Sequence, residues 1–167
     1  MKDFIKDFIS DADVDGGNVR VGVNVFSKKS NIEFNLNTYT TRAEIFTAVD
    51  DIDYIGVSTN TADALKKTRT EMFTVNNGDR PGVENIIILM TDGKSTTNKK
   101  RTIPEAEITR EAGIHIYAIA IGYDDFSEVD AVASQPANKN RFAIENFDKL
   151  QELKRTVFAV FCGKFNI

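Results

Sequence analysis

The sequence predicts a doubly wound α/β fold, in which a mostly parallel sheet carries an antiparallel hairpin at its edge. Three features lead there. Ile86-Ile87-Ile88-Leu89-Met90 and Ile114–Ile121 (IHIYAIAI) are continuous apolar runs, the pattern of strands covered on both faces. A polar amphipathic segment, roughly Pro104–Ala112 and closed by Gly113, separates them. Strand, helix, strand with buried strands implies a parallel pair joined by a right-handed crossover. Asn18–Ser27 (NVRVGVNVFS) and Ile32–Leu36 alternate instead, and they lie close enough in the chain to pair as a hairpin.

The elements follow in order. Phe4, Ile5, Phe8 and Ile9 recur at helical spacing opposite Lys2, Lys6, Asp7 and Ser10, so residues 1–13 read as an amphipathic helix stopped by Gly16-Gly17. It opens at Met1 with no capping residue ahead of it. In the first strand Val19, Val21, Val23 and Val25 share one face, and Lys28-Lys29-Ser30 turns it into the second. Thr41 caps a helix running to about Asp53, with Glu44 completing a capping box. Another helix starts near Thr61 and carries Ala64, Leu65, Thr68 and Met72 inward; Asn76–Gly82 is a loop. A short helix (Phe126–Ser134), a strand (Arg141–Ile144) and a last helix (Asp148–Phe161) complete a single domain over residues 1–167. No repeat or linker interrupts it.

Composition narrows the function. With 41% hydrophobic and 28% charged residues the chain has an ordinary globular balance, and its net charge of -4 points away from a nucleic-acid backbone as partner. The one basic run, Lys99-Lys100-Arg101, reads as a solvated loop. No stretch is long and apolar enough to insert into a membrane, and the first residues mix acid and base where a secretory leader is apolar. Cys162 is the single cysteine: either a buried small hydrophobe or half of a disulfide. His115, at the start of a buried strand, reads as structural. Asp124-Asp125 reads as a helix-start cap or a rim contact.

In an open parallel sheet, ligands sit at the carboxyl ends of the strands. Two polar loops end there. One runs Tyr54–Leu65 and contains Ser58-Thr59-Asn60; the other is Thr91-Asp92-Gly93-Lys94-Ser95, where an apolar strand runs into an acid. Each alone reads as a turn or an N-cap cluster. Together they place a hydroxyl and a carboxylate at one sheet edge, part of the oxygen shell that a hard divalent cation requires.

These two loops, the strand Val19–Ser27, the segment Phe73–Gly82 and the strand Ile116–Gly122 resemble von Willebrand factor type A (vWA) domains of extracellular matrix proteins. The resemblance covers essentially the whole chain and implies a Rossmann-like adhesion module with a metal-ion-dependent adhesion site. It matches Thr59 and Asp92 to metal ligands, with Ser58, Asn60, Gly93 and Lys94 around them, and implies Mg²⁺ or Mn²⁺ as the ion. The partner it implies is a matrix protein such as collagen, or another vWA chain. It also implies an extracellular location and no enzymatic activity.

Two departures from the family pattern shape the expectations. The second loop is less glycine-rich than usual, with Val57, Ser58 and Ala62 at positions where glycine is frequent. The family's first strand and its Asp-x-Ser-x-Ser loop precede the helix that here begins at Met1, so cation binding is expected to be weak or absent. The family strand order puts that strand between Val19–Ser27 and Glu84–Thr91. The sheet is therefore expected to lack its central strand, with a slot of roughly 9.6 Å, two strand spacings, and possible oligomers. A cysteine after the last helix pairs, in many matrix vWA domains, with one ahead of the first strand, which implies a free thiol at Cys162. Two other readings are a partial gene product without function of its own, and a phosphoryl-transfer enzyme with Asp92 as nucleophile and Lys94 beside it. The second lacks an acid cluster to hold its metal.

Overall fold

A computed structural model describes residues 1–53, 56, 58–122 and 124–145. Its elements are α1 (Lys2–Ser10), β1 (Val23–Phe26), β2 (Ser30–Phe34), α2 (Arg42–Asp50), α3 (Thr61–Lys67), β3 (Ile86–Thr91), α4 (Lys99–Glu111), β4 (His115–Ile121), α5 (Ser127–Val132), α6 (Ala137–Asn140) and β5 (Arg141–Ile144). The expected last helix, Asp148–Phe161, and Cys162 lie outside the described residues.

The strands form two hydrogen-bonded sheets. β1 and β2 are antiparallel, while β3, β4 and β5 form a parallel sheet in that order, with Ile86 opposite His115 and Ala118 opposite Arg141. Among the described residues β1 and β3 are not paired with each other. This is the doubly wound α/β class with its edge hairpin.

Two helices hold the sheets together, one on each face. On α1, Phe4 and Phe8 pack with Ile88, Met90, Ile119 and Ile121 of the parallel sheet. Ile5 and Ile9, one position on, pack with Val23, Phe34, Ile45 and Val49 on the hairpin side. Positions four apart share a helix face, so two adjacent stripes serve two sheets. Lys6 anchors the helix to Asp50 of α2 at 2.6 Å, and Met1 supplies no side-chain cap, as expected. On the opposite face Leu65 of α3 shares a cluster with Ile87, Leu89 and Phe26. Asn24 of β1 donates to the Ala64 carbonyl at 3.2 Å and to Thr68 Oγ1 at 2.9 Å. The inner face expected for this helix is the one observed: Ala64, Leu65, Thr68 and Met72 are all buried, the last two in a π-helical turn, Thr68–Met72.

Several boundaries differ from expectation. The first strand spans four residues rather than the ten of Asn18–Ser27, because its ladder reaches only as far as β2 does. β2 stops at Phe34, where Asn35 N–H turns to Thr38 Oγ1 at 3.0 Å and the chain leaves the sheet. The second strand accordingly lies at Ser30–Phe34, two residues before the expected Ile32–Leu36. Gly22 sits just before β1, where an added Cβ would lie 2.7 Å from Met72 Sδ. The capping box of Thr41 and Glu44 is present, but α2 ends at Asp50 with Asp51 as its C-cap, short of the expected Asp53.

α4 begins at Lys99, not near Pro104, so Lys99-Lys100-Arg101 is its exposed first turn rather than a loop. The proline lies in the second turn, where its missing N–H removes one helical bond. β3 also differs: Ile87, Leu89 and Thr91 are buried while Ile86, Ile88 and Met90 are half-buried. The apolar run is thus covered on one face more fully than on the other. β4 is covered on both, with Ile116–Ala120 at 0% exposure. α6 was not legible in the sequence.

Candidate cation-binding edge

The carboxyl ends of β1 and β3 meet at the start of α3. Asn60 caps α3 by accepting from Asp63 N–H at 3.2 Å, and its Nδ2 donates to the Lys28 carbonyl beyond β1 at 3.0 Å. One residue earlier, Thr59 is tied to the segment beyond β3. Its carbonyl accepts from Thr96 N–H at 2.9 Å and Thr97 N–H at 3.0 Å, and its own N–H donates to Thr96 Oγ1 at 2.9 Å. The two loops picked out in the sequence are therefore joined by backbone bonds at one edge of the fold.

The second loop has its own supports. Thr91 Oγ1 donates to the Gly93 carbonyl at 2.6 Å, which folds the chain back directly after Asp92. Lys94 Nζ pairs with Asp125, and Ser127 Oγ lies 3.4 Å away. Asp125 also accepts from Ser127 N–H at 3.1 Å and from Ser127 Oγ at 2.6 Å, just ahead of α5. The N-cap of α5 is Phe126 and no side chain caps the helix, so the cap expected at Asp124-Asp125 is not formed; Asp125 instead pairs with Lys94 at the rim. The Lys94 ammonium, followed by the Ser127 hydroxyl and amide, holds the Asp125 carboxyl well below its ordinary range. Below this rim, Ser95 Oγ lies 2.9 Å from Thr61 Oγ1, 3.0 Å from Thr102 Oγ1 and 2.8 Å from Glu128 Oε1.

The nominated residues sort by accessibility. Asp92 is exposed, and Thr59, Gly93 and Lys94 are half-buried. Asn60 is only 3% exposed with both ends of its amide engaged, so it holds the loop instead of facing a ligand. Ser58 Oγ is buried without a hydrogen-bond partner among the described residues, and such an atom calls for an ion, water or a further polar group. Among the described residues no three His, Cys, Asp or Glu side chains cluster to hold a metal, so a cation here would depend on hydroxyls as well as on Asp92. Tyr54, Ile55 and Val57 of the first loop lie outside the described residues. His115 sits at the other end of the sheet, its Nε2 2.8 Å from Asn140 Oδ1.

This edge can be set beside known proteins. The family model described as von Willebrand factor type A domain matches residues 1–156. The chain belongs to that family. It is 30% identical over 163 residues to the mouse (Mus musculus) collagen alpha-6(VI) chain, covering 98% of this chain and 7% of that one. To chicken (Gallus gallus) matrilin-3 it is 29% identical over 166 residues, covering 98% and 36%. The chain therefore spans only a small part of these relatives. Among solved structures, proximal thread matrix protein 1 from the mussel byssus superposes with a TM-score of 0.90 at 28% identity, covering 97% of this chain and 42% of that one. A second structure of that protein, with a zinc-occupied MIDAS motif, gives 0.89 at 29%, covering 97% and 42%.

Sequence reasoning missed Glu128, Thr96 and Thr102. Glu128 reads as one more acid near a helix start, and the two threonines as loop and helix polar residues. Nothing local marks them, because their partners lie 7 to 37 residues away.

Proposed function

We propose that this vWA domain is a protein-binding module of the extracellular matrix, whose contact surface is the edge that carries Thr59 and Asp92. The observation that supports it is the backbone stitching of the Thr59 loop to the segment after Asp92, which holds a hydroxyl and a carboxylate on one rim of the sheet. Thr59 and Asp92 are the proposed cation ligands. The Ser58 hydroxyl, without a partner among the described residues, is a further candidate oxygen, and Gly93 and Lys94 border the contact surface. Oxygen donors suit Mg²⁺ or Mn²⁺, and the zinc named for the mussel neighbour supports a divalent ion.

When bound, the cation offers a positive centre to an acidic side chain of the partner; the protein's part is to orient Thr59 and Asp92. Two side-chain ligands compete poorly with an ion's own hydration, so residues 1–167 alone bind Mg²⁺ or Mn²⁺ weakly. The proposed partner is a matrix protein such as collagen, or a second vWA chain. The reading places the domain outside the cell and gives it no catalytic step. Lys94 is committed to Asp125, and Asp92 has no acid cluster beside it among the described residues. Residues 1–167 are proposed to be a single domain.

The test is a titration of the chain with Mn²⁺, followed by amide line broadening, with Asp92→Ala in parallel and binding to immobilised collagen with and without Mn²⁺. The expected result is weak broadening centred on residues 59 and 92 that Asp92→Ala removes. Micromolar affinity, or binding that ignores Asp92, would overturn the proposed site.

A further inference from the structure

We infer that Glu128, in the first turn of α5, is the positioning residue that keeps the Asp92 loop in register with the Thr59 loop. The inference rests on the cation site proposed above for its functional meaning, but its geometry stands apart from that site. Ser95 lies three residues after Asp92 and one before Thr96. Its N–H and its Oγ both lie 2.8 Å from the same oxygen, Glu128 Oε1. The Ser95 hydroxyl has one proton and also touches Thr61 Oγ1 and Thr102 Oγ1.

The proton count assigns the direction. An ionised carboxylate only accepts, so Ser95 Oγ–H donates to Glu128 and fills its own two lone pairs from Thr61 and Thr102. Every proton in the cluster then has one destination, and the hydroxyl protons run toward Glu128. Thr102 is 0% exposed, Thr61 2% and Ser95 3%, so water does not replace a lost acceptor readily. From Ser95 the path is short. The next residue, Thr96, donates its N–H to Thr59 O and accepts from Thr59 N–H through its hydroxyl. Thr61, the other neighbour of Ser95, is two residues from Thr59 and begins α3.

One carboxylate on α5 therefore sets the loop after β3, the start of α3 and, through Thr102, the first turn of α4. The outer contact between the same segments, Lys94 with Asp125, cannot do this alone. Asp125 is 63% exposed there, and exposed pairs are screened and contribute little.

The experiment uses the full chain and compares Glu128→Ala with Glu128→Gln, reading amide hydrogen exchange and Mn²⁺-induced line broadening. Removing the acceptor strands two buried donors, so exchange at Ser95, Thr96 and Thr97 is expected to speed up about tenfold or more in Glu128→Ala. Exchange in β4 should keep its parental rates. Glu128→Gln retains an acceptor oxygen and should recover much of the protection. Mn²⁺ affinity should fall several-fold in the Ala variant and recover in the Gln variant, a rescue that general destabilisation does not produce.

Parental exchange at residues 95–97 in Glu128→Ala overturns the inference. Should that variant lose β4 protection as well, Ser95→Ala decides: faster exchange at Thr96 and Thr97 over an intact β4 supports the inference, and unchanged exchange overturns it. A parental chain without Asp92-dependent Mn²⁺ binding would remove the proposed cation site, while the amide rates would still decide whether Glu128 positions the loop.

Discussion

β4 and β1 are both short runs rich in β-branched or apolar residues, yet they live in different surroundings. β4 is paired on both edges, by β3 and β5, with α1 on one face and the α3, α4 and α5 side on the other; Ile116–Ala120 are 0% exposed. β1 is paired on one edge only among the described residues, and all four of its residues are half-buried. The two strands differ less in hydrophobicity than in the number of neighbours that cover them. Burial here is decided by ladder partners on both sides, and those are a property of the sheet rather than of the strand.

The comparison breaks first in the core. Ile116→Ala is expected to cost about 2–5 kcal/mol, because a fully buried isoleucine leaves a cavity that its packed surroundings fill only partly. Val23→Ala on β1 should cost about 1 kcal/mol, since that side chain already meets solvent. Urea unfolding of the two variants measures both, and equal losses would show that the two strands are equally enclosed.

Next comes the open edge of β1. A chain extended ahead of Met1 by an apolar strand ending in Asp-x-Ser-x-Ser is expected to be more stable by about 2–4 kcal/mol, at roughly 1 kcal/mol for each net ladder hydrogen bond. Its β1 amides should exchange more slowly and its Mn²⁺ affinity should rise sharply. If the extended chain melts at the same temperature as residues 1–167, the edges of β1 and β3 that are unpaired among the described residues are not a weakness of this fold.

A smaller effect concerns the hairpin side alone. Thr41→Ala removes the capping hydroxyl that accepts from Glu44 N–H at 3.3 Å, and should cost about 1 kcal/mol. Native-state exchange should place the loss on α2 and the elements packed with it, leaving β4 protection unchanged. A uniform loss over both sheets would mean that they open as one unit.

The smallest effect belongs to the rim. The Asp125 carboxyl is lowered by Lys94 and Ser127, so what it contributes is fully present above the unfolded aspartate range near pH ~4 and lost as pH falls below it. Asp125→Asn should therefore differ from the parent by a small constant amount between about pH 5 and 8, and the difference should shrink in acid. Molar salt should shrink it too. Melting temperatures across pH and salt check this; a gap that widens in acid contradicts the assignment.

Much of the fold was legible in the chain because it rests on local chemistry. The four-residue spacing of Phe4/Phe8 and Ile5/Ile9, the pairing of Thr41 with Glu44, and the apolar run of Ile114–Ile121 each state a periodicity or a cap within a few residues. The start of α4 was not legible, because Pro104 looks like a first-turn proline and only the structure places a full turn ahead of it. At the site, Thr59 and Asp92 were visible as polar residues at strand ends, whereas the withdrawal of Asn60 into a helix cap was not.

By itself the sequence determined most of the helices and strands among the described residues, that the sheet is mainly parallel with an antiparallel edge, and which two loops share its carboxyl end. Short-range periodicity carries that information. Only the tertiary structure decided that β1 pairs on one side among the described residues, that α1 and α3 bridge two sheets, and that Glu128 closes a hydroxyl cluster beneath Asp92. Those outcomes depend on ladder partners and on proton donors and acceptors from distant segments. A residue's own neighbours in the chain do not encode where such partners come to rest.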